Sequence, residues 1–269
     1  MSLVQRSSNC YRIYAGDKDA YLVQLEQEMD DLVKYAIPSI NDQSTNAHIC
    51  GGQVMRIDDL NPWSRCNIFQ LSFGLFHLCM NLIWALLHTH CGSFHQTGSL
   101  TYFFALMEKT RLSADHPDYH TLLAALTQVL EGIILGTWLD DLGNLGNFAK
   151  MRPSAQDLLL RAQGFLNRCT CPLVIWRKGP KAKDHTIPPY PDAVDPLSDI
   201  AHQNTIVLTR DLLYMIELTS AISNSDFGHV EDILPVLAKI FQGAGSNNYC
   251  TEILHLIANL RYIWTPKFA

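Results

Sequence analysis

Apolar side chains recur at helical spacing through most of this chain and follow strand-like spacing in only two short places. From Pro117 to Leu139 the pattern predicts one long helix. Tyr119, Leu122, Leu123, Leu126, Val129, Leu130, Ile133, Ile134 and Trp138 form its apolar face, and Pro117 suits its first turn. Asp19–Ala36 is amphipathic, with Leu22, Leu25, Met29, Leu32 and Val33 on one side. Further helices are predicted over Ser99–Lys109, Ser154–Arg168, Ser198–Ser223, Phe227–Gln242 and Asn247–Trp264. Ser154 followed by Asp157 is close to a capping box. Leu75–His90 is apolar on nearly every side, as a helix inside a protein is. The strand-like runs are Ile37–Ile40, ending at Asn41-Asp42, and Asn67–Phe73. The expected fold class is mainly α with a small β component. Residues 1–269 read as a single mainly helical domain with an irregular loop at 169–199, which holds six of the twelve prolines.

Composition sharpens this picture in three ways. Hydrophobic residues make up 48% of the chain and charged residues 17%, a ratio that argues for a folded protein and against a disordered one. So few charges imply apolar surface covered by a partner or by a further segment. The net charge of −6 gives no backing to nucleic-acid binding, and the basic run Arg177, Lys178, Lys181, Lys183 is short. Eight scattered cysteines and a polar start without an apolar core point to reduced thiols and an intracellular location, nuclear or cytoplasmic. Ile68–Leu87 has about the ~20-residue length of a membrane span. Gln70, Ser72, Gly74, His77 and Asn81 within it favour a buried core segment, so no membrane is expected.

Candidate chemistry is sparse. On the helix Leu75–His90, His77, Asn81 and His88 fall on one line, within about 40° at 100° per residue. That line is either a seam facing a site or a set of buried polar groups satisfied structurally. His88, His90, Cys91 and His95 cluster as metal ligands do, but the spacing matches no standard zinc pattern, nor does Cys169-Thr170-Cys171. Phosphate-loop, dinucleotide and nucleophile-elbow motifs are absent from the sequence. The last helix puts Glu252, His255, Asn259 and Tyr262 on one side, the ordinary pattern of a solvated face.

Three segments in order carry a resemblance. Ile40-Asn41-Asp42-Gln43-Ser44-Thr45 is similar to a Gly-Asp-Gln-x-Thr motif, with Asn41 in place of the glycine. Phe73–Leu82 is similar to a Phe-His-x-x-Met-Asn segment, and Gly243–Glu252 to a Gly-x-Gly-x-x-Asn-Tyr-x-x-Glu segment. Together they resemble DUF6589, a fungal family of uncharacterised proteins whose layout is similar to that of cut-and-paste transposases. The resemblance implies a partial RNase H-like core with a large helical insertion. It makes Asp42 and Glu252 the second and third acidic ligands of a divalent metal, Mg²⁺, with His77 supporting the core beside them. DNA is the partner it implies. The first acidic ligand has no counterpart in a strand-like run: Asp17, Asp19, Asp30 and Asp31 all lie outside one. The chain is therefore expected to be a truncated or decayed, catalytically inactive copy, with Asp42, Glu252 and His77 converging as a remnant site. The alternative is a helical protein-interaction module with no catalytic role, binding a protein partner through its apolar faces. A zinc-binding protein is the third reading.

Overall fold

The computed structural model describes residues 36–60, 62–113, 117–170 and 200–264. Two compact units, Met1–Gly74 and Leu75–Ala269, divide the chain where the sequence pattern drew no boundary. The helix expected over Asp19–Ala36 lies outside the described residues except for Ala36. The same holds for residues 171–199 of the expected loop.

The first unit holds strand β1 (Ile37–Asn41), helix α1 (Gln43–Met55) and strand β2 (Phe69–Phe73). The strands pair in parallel, Ile37 opposite Phe69 and Asn41 opposite Phe73. Proline at position 38 fits because β1 has one strand neighbour among the described residues, and an edge strand tolerates a missing N–H. β2 starts two residues later than the alternation predicts. Asn67 closes a turn by donating its N–H to the Pro62 carbonyl at 3.0 Å, and Cys66 sits at φ +59°. Those constraints place residues 67 and 68 before the paired register, although the Ile68 carbonyl still accepts the Ile37 N–H at 2.8 Å. α1 is capped by Asp42, whose carboxylate accepts the Thr45 N–H at 2.9 Å. Fully buried Asn46 donates to the Ser72 carbonyl at 3.2 Å and accepts from Asn41 at 3.1 Å. The start of α1 is thereby tied to both strands.

The second unit is helical among its described residues. Its elements are α2 (Leu75–His90), α3 (Leu100–Leu106), a 3₁₀ turn (Thr110–Ser113), α4 (Tyr119–Leu142), α5 (Leu145–Lys150), α6 (Ala155–Cys169), α7 (Ile200–Ser223), α8 (Phe227–Gly243) and α9 (Asn247–Ala258). A single π turn, Asn259–Ile263, follows α9 in place of the regular helix expected to Trp264. The core is built from Leu78, Leu82, Ile83 and Leu86 of α2, Leu122 and Leu126 of α4, Leu208, Leu212 and Met215 of α7, and Leu234 and Leu237 of α8, all fully buried. Each such side chain stabilises the fold by about 1.5–3 kcal/mol relative to exposure.

The stretch Ile68–Leu87 is no spanning helix: it comprises Ile68, β2, Gly74 and part of a 16-residue helix. Among the described residues α4 is the one helix long and apolar enough to cross a membrane by length and composition. Its first half belongs to the core, through Leu122, Ala125, Leu126, Val129 and Leu130. Its second half is not buried, and Leu135 and Leu139 are exposed.

Helix starts account for much of the local order. Asp118 caps α4, so Pro117 lies just before the helix and not in its first turn. Ser154 and Asp157 form the full capping box that their spacing suggested. Three exposed carboxyls titrate below the usual range. The Thr121 backbone N–H, then its hydroxyl, lowers Asp118; the Arg168 side chain lowers Asp141; the Ser154 hydroxyl, then its N–H, lowers Asp157. A carboxyl depressed in the folded state stabilises it above the unfolded value, about 3.9 for Asp, and loses that contribution as pH falls through the folded value. Stability should therefore decline as pH falls below about 4, and less so in the triple variant Asp118→Asn, Asp141→Asn, Asp157→Asn. Thermal melts across acid pH test this; identical acid profiles for the two proteins would remove these carboxyls as the cause.

Candidate functional site

Asp42 belongs to the first unit, and His77 and Glu252 to the second. Asp42 directly follows β1, half-buried, and serves as the N-cap of α1. Glu252 is half-buried on α9, one helical turn after Tyr249. His77 is half-buried in the first turn of α2, where a more enclosed side chain was expected, and its ring meets Phe76 edge-on at 6.0 Å. Its exposure follows from its place on the stripe: the residues sealed from solvent are Leu78, Cys79, Leu82, Ile83 and Ala85–Leu87 on the other sides of the helix.

The polar line on α2 has three different fates. Asn81, half-buried, donates through Nδ2 to the His77 carbonyl and to the Tyr249 hydroxyl, both at 2.8 Å. Tyr249 in turn stacks on buried Phe241, ring centroids 5.3 Å apart. This contact joins two of the three segments that carry the family resemblance, across 168 positions of sequence. His88 is exposed. Of the three, Asn81 is the member that meets α9; His77 lies beside Phe76 and His88 is left in solvent.

The Asn81 contact supports a direct test. Asn81→Leu forfeits both hydrogen bonds and should cost about 1 kcal/mol. Asn81→Asp should cost more, because it sets a carboxylate against the His77 carbonyl oxygen in a partly desolvated place. Urea denaturation of the two variants and of Tyr249→Phe ranks these effects. An Asn81→Asp protein as stable as Asn81→Leu would show that the seam is open to water.

The His88, His90, Cys91 and His95 cluster does not assemble. His90 points to α7, where its Nε2 lies 3.0 Å from Asp211 Oδ2, with both side chains almost sealed from solvent. Arg210 closes on the other carboxylate oxygen through Nε at 2.8 Å and Nη2 at 2.7 Å. Cys91 is an exposed free thiol. Cys171 lies outside the described residues. Sequence reasoning missed Asp211, yet it left a trace: an acidic residue at helical spacing with Leu208 and Met215, in line with the buried face of α7. A charge at a core position needs a partner.

Two-metal phosphoryl chemistry requires several acidic oxygens converging on the ions, and Mg²⁺ demands near-octahedral oxygen ligation. Asp42 commits an oxygen to capping α1. Among the described residues no group of three His, Cys, Asp or Glu side chains is placed to hold a metal ion. The thiol of Cys79, pushed up to about 11 by burial, is an unreactive core group.

Fold and site together define a mainly helical protein with a small parallel strand–helix–strand unit, whose polar groups join helix to helix. The profile of a family of unknown function, DUF6589, matches residues 12–269, and the chain belongs to that family. No curated protein and no solved structure matches it.

Proposed function

We propose that this DUF6589 protein works by binding a protein partner and not by turning over a substrate. The observation that carries this reading is the apolar surface of the second unit. Leu135 and Leu139 on α4, and Leu158, Leu159, Leu160 and Leu166 on α6, are all exposed. Exposed apolar residues gathered on neighbouring elements mark interaction surfaces more often than scattered ones do. Arg168 of α6 pairs with Asp141 at the end of α4, and Arg161 of α6 lies over the Phe148 ring of α5, 4.9 Å from its centroid. An intracellular setting, nuclear or cytoplasmic, goes with this reading.

Descent from a transposase-like nuclease is the second reading. It is favoured by Asp42 at the end of a parallel strand and Glu252 on a late helix. The fungal origin and the RNase H-like core belong to this reading alone. Under it the chain has kept two acidic positions without a metal-binding donor set among the described residues, and catalysis has been lost.

Both readings predict that supercoiled plasmid stays intact in the presence of the protein with Mg²⁺ or Mn²⁺. Nicking that disappears in Asp42→Ala and in Glu252→Ala would show instead that the chain is an active nuclease. The binding reading predicts further that a partner co-purifies in stoichiometric amount with the wild-type chain. Leu135→Glu combined with Leu159→Glu should release it without changing the melting temperature, because both leucines are exposed. Retention of the partner by that variant would sink the proposed surface.

A further inference from the structure

We draw no further inference here: the strongest candidate, the exposed leucine surface on the second half of α4 and on α6, already belongs to the binding reading above, and nothing in the structure shows what covers it.

Discussion

Asp211→Ala should be among the most damaging single substitutions in the second unit, lowering stability by about 3–5 kcal/mol. The Asp211 side chain is 5% exposed and that of its partner His90 8%, so neither can turn to water without opening the contact between α2 and α7. Removing the carboxylate leaves the imidazole facing an empty, largely desolvated place, and it strips Arg210 of its hydrogen-bonded partner. Arg210 recovers part of that loss, because its side chain is 36% exposed and its guanidinium can be solvated. His90 cannot. The test is a double-mutant cycle in urea with His90→Leu, Asp211→Leu and the pair of substitutions together. Replacing both partners by apolar groups removes the orphaned polar atoms along with the bond. The double variant should therefore be clearly more stable than the sum of the single losses implies. Strict additivity would mean that the two groups do not support each other.

Gly98→Ala should cost about 3 kcal/mol, for two separable reasons. The residue sits at φ +84°, where an L side chain costs roughly 1–2 kcal/mol. A Cβ at this position would also lie 2.6 Å from the Ala201 carbonyl oxygen and 2.9 Å from the Thr205 hydroxyl. That oxygen is backbone in α7 and already accepts the Thr205 hydroxyl at 2.8 Å, so it has little room to give. Overpacking of this kind adds about 1–3 kcal/mol. Gly245 supplies the control: its φ is +76°, but nothing lies within 4 Å of the methyl group that alanine would add. Gly245→Ala should then show only the conformational cost, about 1–2 kcal/mol. Equal losses at the two positions would mean that the loop carrying Gly98 is not pressed against α7.

The candidate site was legible only in part. Asp42, His77 and Glu252 were proposed through motif resemblance, and the structure shows where each lies locally: at the cap of α1, in the first turn of α2 and in the middle of α9. The hydrogen bond that joins two of the motif segments runs between Asn81 and Tyr249, residues that periodicity placed on helices without pairing them. His90 was noticed for the wrong partners. Its neighbours in sequence looked like metal ligands, while its actual partner lies 121 positions away.

The sequence by itself determined the elements whose cause is local. α2 was legible because a helix apolar on nearly every side has only the interior to occupy. α6 was legible because Ser154 and Asp157 satisfy its first N–H groups at fixed spacing. β1 was legible because an apolar run broken by Pro38 and closed by Asn41-Asp42 leaves little but a short edge strand. α1 was not, since Gln43–Met55 carries two adjacent glycines and no clear apolar period. Its helix depends on the Asp42 cap and on the buried Asn46, whose bond to the Ser72 carbonyl spans 26 positions. Tertiary structure alone decided that bond, the His90–Asp211 pair and the Asn81–Tyr249 seam. The physical reason is the same in each case. A local pattern fixes which face a side chain occupies, but a hydrogen bond forms only where two elements cross at about 3 Å, and that crossing is set by how the whole core packs.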